Sequence, residues 1–495
     1  MVSGMIRVLP YGMLPLAPIL VLALTAASVL LLVSLFRKSG REAGILALVG
    51  TLMAGAITIR FLQLGLFLRR VSGALVLDRF ALLFSLLFLA TAAVTILASI
   101  SFVIGEGKDL GEYFVLILTS VLGMILMASS ENLLVIFLGL EILSLSLYTL
   151  AGFTRDREKS VEAALKYFLL GAFSTAFILY GVALLYGATR SIDLQGIVRV
   201  FSVPLDAAID SRAFVGMGLV LVGFAFKVGA VPFHFWIPDV YQGAPTPVAG
   251  FMAAGTKTAA LAMILRVFLV GFQGPRVVAS WVSILTLLAI ATMTVGNVVA
   301  LAQTNIKRML AYSSVAHAGY LMVGVIVSSD RGSRQGALSA IAYYLAGYIF
   351  MNLGAFTVVS LLGRRAAEEE EGYSLYDYSG LARRQPVLAA LMTAFMLSLT
   401  GIPPMAGFLG KFFLFRAAVD GRFYLLAIVG VLNSVIGACY YLRVVVHMYM
   451  KEASTAEPGP TLTVSETLSL AACLFFTLYL GLLPRGFLEM ARSLL

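Results

Sequence analysis

Residues 223–239 read GFAFKVGAVPFHFWIPD, and residues 398–415 read SLTGIPPMAGFLGKFFLF. Both stretches are apolar enough to enter a bilayer, yet each carries helix breakers: Pro232 and Pro238 in the first, Pro403 and Pro404 in the second. Proline removes a backbone donor and disrupts the turn before it. In hydrocarbon the freed carbonyls find no water, so a break is tolerated only where protein or a cavity satisfies them. A plain proline kink would explain one such stretch. Two of them, with Lys227 and Lys411 close by, predict paired broken helices around a path at the bilayer midplane, the pattern of inverted repeats. Unwound segments are expected near Ala230–Pro232 and Ile402–Pro404.

The rest of the chain agrees. Of 495 residues, 60% are hydrophobic and only 12% charged, and the mean hydropathy is +0.98. A soluble fold cannot hide that much apolar surface and still cover itself with polar groups. The chain therefore reads as an all-α polytopic membrane protein. The formal charge of +10 resides in short loops between apolar runs. That placement points to anionic lipid headgroups and loop topology, not to nucleic acid. Cys439 and Cys473 lie in apolar stretches and form neither a disulfide framework nor an iron–sulfur site. His234, His317 and His447 are far apart and lack metal-ligand spacing. GEGKDLG (105–111) lacks the spacing and the Ser/Thr of a phosphate loop, and no dinucleotide fingerprint or HExxH motif is present. No cofactor is expected in this chain.

A spanning helix needs ~20 mostly apolar residues. By that measure there are fourteen runs: 13–36, 43–67, 78–103, 112–130, 131–153, 160–187, 213–235, 247–271, 277–300, 305–327, 336–362, 386–416, 422–449 and 462–484. The fourth and fifth are divided only by Ser129, Ser130, Glu131 and Asn132. The first run is too long for a signal h-region and is followed by Arg37, Lys38 and Arg41, so it is expected to be a retained helix. Connector 188–212 is expected to hold an interfacial helix in SIDLQGIVRVFSV. Connector 363–385, with Arg364, Arg365 and four glutamates, reads as a solvated loop. An even helix count puts both termini on one side, but Lys and Arg totals are nearly equal on the two faces and do not orient the chain.

The informative residues are ionisable groups inside apolar runs. Glu141 lies ten residues after Glu131 and fourteen before Arg155, near mid-bilayer, with Ser144 and Tyr148 on the same helix face. Lys166, Lys227, Lys257 and Lys411 are the other members. Left alone, five such charges would cost roughly 12–18 kcal/mol on insertion scales. They must pair with one another, with water or with broken-helix ends, and the expected partner of Lys227 is Glu141. Burial disfavours a charged lysine and a nearby carboxylate favours it. A lysine between those influences can take up and release a proton. Alternatives remain open for several members. Lys166 has Glu162 at i−4 and fits a headgroup-level ion pair. Lys257 shares its helix with Arg266, which fits a structural network. His234 could pass protons or only bond a freed carbonyl, and His317 could serve the second half. His447 and Arg443 are expected to snorkel from a helix end, and Arg60 has no assigned role.

Three stretches carry a family likeness. FKVGAVPFHFWIPDVYQGAPTPVAGFMAAGTKTAAL (226–261), NIKRMLAYSSVAHAGYLMVG (305–324) and LSLTGIPPMAGFLGKFFLF (397–415) resemble the antiporter-like membrane subunits of respiratory complex I. The likeness spans roughly 112–450. Lys411 stands where the M-type branch has a glutamate, and no long lateral helix of the L-type kind is expected after the last run, so the chain is most similar to the N-type branch.

The resemblance implies about fourteen transmembrane helices, with broken helices 7 and 12 and two inverted five-helix repeats. These would divide the chain into an N-terminal three-helix segment (1–111), a first repeat of helices 4–8 (112–271), a second of helices 9–13 (272–450) and a C-terminal helix 14 (451–495). It maps the relay onto Glu141 on helix 5, Lys166 on helix 6, Lys227 on helix 7, Lys257 on helix 8 and Lys411 on helix 12, with His234 and His317 as weaker members. Helix 11 departs from the family: GALSAIAYYLAGYIFMNLGAFTVV has no charged residue, so a path there needs water or His317. The implied function is proton translocation in an NADH:quinone oxidoreductase of the bacterial cytoplasmic membrane. FMN, iron–sulfur clusters and quinone would sit in other subunits. Partners would be other membrane subunits, including paralogous antiporter-like ones, and lipids. A cation/proton antiporter subunit without a redox partner, or a purely structural subunit, are the competing classes.

Overall fold

The computed structural model describes residues 16–36, 40–66, 68–71, 74–105, 110–203, 207–363, 373–452 and 461–494. Arg37, Lys38, the centre of the 105–111 stretch and the Arg364, Arg365 and glutamate run lie outside the described residues. The apolar runs become helices α1 (Ala17–Leu35), α2 (Gly40–Leu64), α3 (Arg79–Gly105), α4 (Glu112–Ala128) and α5 (Leu133–Ala151). Next come α6 (Glu158–Thr189), the broken pair α7a (Ala207–Val228) and α7b (Trp236–Gly243), and α8 (Thr246–Gly271). The second half holds α9 (Pro275–Ala302), α10 (Ile306–Val327) and α11 (Arg334–Gly363). It continues with α12a (Pro386–Thr400), α12b (Ala406–Asp420), α13 (Tyr424–Met450) and α14 (Val464–Leu482).

The run 213–235 ends in a break at Pro232, with a second half-helix beyond it at Trp236–Gly243 that contains Pro238, and the run 386–416 is two helices broken at Pro403–Pro404. The expected interfacial helix is Leu194–Phe201. One element lies outside the all-helical expectation. Leu68–Val71 and Leu75–Leu77 form a small antiparallel hairpin, β1 and β2, held to the α4–α5 connection by Val76 N–H to Ser129 O (2.7 Å).

Two helix starts match in detail. Asn132 accepts from the backbone N–H of Leu134 and Val135, and Asn305 accepts from those of Lys307 and Arg308. Such side-chain caps satisfy donors that a helix start leaves free. Leu133 N–H reaches Ile192 O and Leu194 N–H reaches Glu131 O (2.9 and 2.8 Å). Ile306 N–H reaches Tyr373 O and Leu375 N–H reaches Thr304 O (both 2.8 Å). One start opens the fifth span and the other the tenth, so by the count of crossings they lie at opposite membrane faces.

Helices α8, α10 and α11 are buried almost all round, whereas α6, α9 and α13 turn rows of large apolar side chains outward, among them Phe173, Leu287 and Val435. A helix apolar on every side belongs inside a bundle, so the interior is a row of central helices with lipid-facing ones around it.

Arg266, 5% exposed near the end of α8, fixes the start of α3 and the end of α4 to this row. Its guanidinium takes both oxygens of Asp78 and donates to Ala128 O (3.1 and 2.8 Å) at the end of α4, with Phe80 against its face. This is the structural network that the sequence allowed for Arg266. Asp78→Ala should strand the guanidinium at a cost of about 3 kcal/mol. The thermal midpoint of the detergent-solubilised protein should fall, with Asp78→Glu intermediate; an unchanged midpoint for Asp78→Ala would show the pair to be idle.

Candidate functional site

The site begins with the two breaks. α7a ends on Gly229 at φ +79° and α12a on Gly401 at φ +91°, a left-handed conformation that glycine adopts without penalty. At the first, Ala230 N–H bonds Ala225 O (2.8 Å) and Gly229 N–H bonds Phe226 O (3.1 Å). At the second, Ile402 N–H bonds Leu397 O (3.1 Å) and Gly401 N–H bonds Ser398 O (3.0 Å). Both are Schellman caps, which satisfy two of the four carbonyls at a helix end and leave the last two free.

Lysines take up three of those four carbonyls. Lys257 Nζ donates to Val228 O (3.1 Å). Lys411 Nζ donates to Leu399 O (3.1 Å) and Thr400 O (2.9 Å). The negative end of each half-helix dipole thus receives a cation. Trp236 closes the first break further, donating from Nε1 to Phe226 O (3.2 Å). Lys257 directly follows a π turn, Met252–Thr256, inside α8. Such turns recur at functional sites.

Lys227 is 4% exposed, and the structure corrects its expected pairing. Its ammonium donates to Ser144 Oγ (2.8 Å) and to Tyr167 OH (3.2 Å), not directly to Glu141. Ser144 is three residues beyond Glu141 on the same face of α5, and its short side chain fills the position nearest Lys227. Glu141 is half-buried, its Oε1 has no hydrogen-bond partner, and it acts on Lys227 only at electrostatic range.

His317, 1% exposed on α10, stands electrostatically between Lys257 and Lys411. Its Nδ1 pairs with Tyr344 OH (2.6 Å) and its Nε2 with Tyr441 OH (3.0 Å). Tyr441 continues to Ser313 Oγ. Tyr344 lies on α11, which has no charged residue after its first, Arg334, and packs on Gly410 beside Lys411. The Lys411 ammonium also faces the Tyr320 ring at 5.2 Å. Tyrosine hydroxyls therefore fill the place of the missing helix 11 charge, and α11 offered that signal in its Tyr343–Tyr344 pair.

Other residues fall outside this row. Lys166 is 41% exposed and ion-paired to Glu162 (2.5 Å) and Asp239 (2.8 Å), the headgroup-level alternative. His234 is half-buried against Tyr312, and its Nδ1 has no partner. Arg443 donates to Leu301 O (2.9 Å) and Gln303 O (2.5 Å) and caps the end of α9. His447 pairs with Ser379 Oγ (3.2 Å). Arg60 is exposed and reaches Gln63 Oε1 (3.4 Å). Two residues escaped the sequence analysis. Lys307, 2% exposed, donates to Gln242 O (2.7 Å) and Ala244 O (2.8 Å) and caps α7b, while Asp239 joins Lys166 to Arg308. Both stand at helix ends, where charge reads as solvated.

Among the described residues, two broken helices within a bundle of apolar spans, with buried lysines at the breaks, define an antiporter-like membrane subunit. Residues 130–437 match the family described as NADH:quinone oxidoreductase/Mrp antiporter, TM. The NADH-quinone oxidoreductase subunit N of Trichlorobacter lovleyi is 45% identical over 466 residues, 94% of this chain and 93% of that protein. That of Chloroflexus aggregans is 43% identical, covering 96% and 95%. The chain belongs to the subunit N family of NADH-quinone oxidoreductases. A chain of respiratory complex I from Thermus thermophilus, solved with bound aureothin, superposes with a TM-score of 0.80 at 34% identity, over 96% of this chain and 99% of that one. A chain of the Mrp complex from Dietzia has a TM-score of 0.82 at 21% identity, over 98% and 96%, and shares the fold.

The two hydroxyls around Lys227 give a direct check. Ser144→Ala/Tyr167→Phe removes both acceptors while keeping the ring, and a buried donor left unmade costs about 1–3 kcal/mol. Proton uptake by reconstituted vesicles should fall by an order of magnitude or more; unchanged uptake would mean that Lys227 works without these partners.

Proposed function

We propose that this chain is a proton-translocating membrane subunit of a complex I type NADH:quinone oxidoreductase, driven by electron transfer in other subunits. The observation that carries the proposal is the buried row Lys227, Lys257, His317 and Lys411, running from one break to the other. Every member is bonded to hydroxyls or carbonyls, so each is held in place without a fixed carboxylate partner. A positive charge on one repels a charge on the next, which suits a row through which protons move in turn. Glu141 biases Lys227 from electrostatic range. Lys166 and His234 stand at the edge of this row. The repeats run from 112–271 and 272–450, between the segments 1–111 and 451–495, and the matching starts at Asn132 and Asn305 support that division.

Flavin mononucleotide, iron–sulfur clusters and quinone belong to the other subunits of the complex. Among the described residues no three His, Cys, Asp or Glu side chains cluster as metal ligands. The partners are the neighbouring membrane subunits, paralogous antiporter-like ones included, and the location is the bacterial cytoplasmic membrane. Purification in mild detergent tests the redox assignment: flavin and iron–sulfur absorbance should co-purify with the chain, and their absence would favour a stand-alone cation/proton antiporter.

Lys411 tests translocation, because it separates charge from proton exchange. Arginine keeps a positive head and can still donate to the two carbonyls, but with a pKa above ~12 it does not release its proton. At ~100 mV a charge crossing the membrane meets ~2.3 kcal/mol, so a proton cannot be parked on a trap. Lys411→Arg should assemble into the complex yet pump as poorly as Lys411→Ala. Near-normal proton uptake by the arginine variant would make Lys411 a fixed cap for the break.

A further inference from the structure

We infer that Asp239 is a positioning residue for Lys227, the carboxylate that holds half-helix α7b to both halves of the protein; this rests on Lys227 being a proton carrier. Asp239 Oδ2 accepts from Lys166 Nζ on α6 and Oδ1 accepts from Arg308 Nη1 on α10, each at 2.8 Å. One carboxylate thereby ties a helix of the first half to a helix of the second. The C-terminal end of α7b is also fastened to α10. Arg308 Nη1 donates to Gln242 Oε1 (2.8 Å), and Lys307 Nζ donates to the backbone oxygens of Gln242 and Ala244.

The inner side of α7b leads to the buried row. Trp236, three residues before Asp239 and on the same helix face, stacks on Tyr167 with centroids 4.5 Å apart and planes 6° apart. Tyr167 follows Lys166 directly on α6, and its hydroxyl accepts from Lys227. Two neighbouring residues of α6 therefore grip two residues one turn apart on α7b: an ion pair outside, a ring stack inside. An eight-residue helix detached from its first half cannot hold itself in water or lipid without tertiary contacts. If the carboxylate releases Lys166, the outer tie of α7b to α6 is lost while its far end stays held to α10, and the Trp236–Tyr167 stack carries the resulting tilt to the hydroxyl beside Lys227. Glu162 also pairs with Lys166 (2.5 Å), so neutralising Asp239 does not strand that lysine.

The test uses the assembled complex carrying Asp239→Asn, Asp239→Glu, Tyr167→Phe, the double variant Asp239→Asn/Tyr167→Phe, and Lys227→Met, with subunit incorporation checked by co-purification. Proton uptake in vesicles should fall about tenfold for Asp239→Asn, the rate equivalent of one lost charge-assisted hydrogen bond, and recover in Asp239→Glu. Because Asp239 acts through Tyr167, the double variant should be no worse than Tyr167→Phe alone. Normal uptake by assembled Asp239→Asn, no recovery in Asp239→Glu, or a full further loss in the double variant would each overturn the inference. Should Asp239→Asn fail to assemble, Arg308→Gln, which opens one side of the tie, is read by the same criteria. Normal uptake by Lys227→Met would instead overturn the proton-carrier assignment beneath it.

Discussion

A backbone carbonyl released inside a bilayer can bond only to what the protein brings to it. Much of this architecture follows from that need. At both breaks a left-handed glycine folds the chain back on two carbonyls; of those that remain, Lys257 takes Val228 O at the first break and Lys411 takes both at the second. Placing Lys257 against Val228 requires α8 inside the bundle, with its π turn just before the lysine. Placing Lys411 requires α12b to run back beside the end of α12a. The central helices are consequently buried all round, and the lipid-facing role passes to α6, α9 and α13.

The polar interior is built with little fixed charge. Tyr344 and Tyr441 bring hydroxyls to His317 and Tyr167 brings one to Lys227, while the ring of Tyr320 faces Lys411. A phenol donates and accepts without the expense of a buried ion. Around Asn297 the same economy recurs, with Nδ2 donating to Tyr320 OH (2.9 Å) and Tyr440 OH donating to Oδ1 (3.0 Å). These hydroxyls link helices α9, α10, α11 and α13 about the second break. Buried networks of this kind rigidify a core when their members are satisfied.

The breaks, the spans and the interfacial helix were legible because hydropathy and proline are local signals. Lys227, Lys257 and Lys411 stood out because charge inside an apolar run is rare. Partner choice was not legible. Whether Lys227 meets Glu141 or Ser144 depends on the rotation of α5, which a shared helical face does not specify. The depth of Lys166 was equally open until Asp239, more than seventy residues away, was found beside it. Lys307 and Asp239 were invisible because a charge at the end of an apolar run looks solvated. The partners of Lys307, and Arg308 beside Asp239, lie on the other half of the protein, and no local pattern records that. The small hairpin was missed for a similar reason, since its support comes from the distant α4–α5 connection.

The carbonyl caps have a consequence for timing. An ammonium presents three N–H donors, and the neutral amine left after proton release still presents two. Lys411 uses two acceptors, Leu399 O and Thr400 O, and Lys257 uses Val228 O. Either protonation state can therefore supply each of these bonds. If these lysines exchange protons as proposed, the scaffold can stay closed while its charge changes, and no helix has to move for a proton to leave.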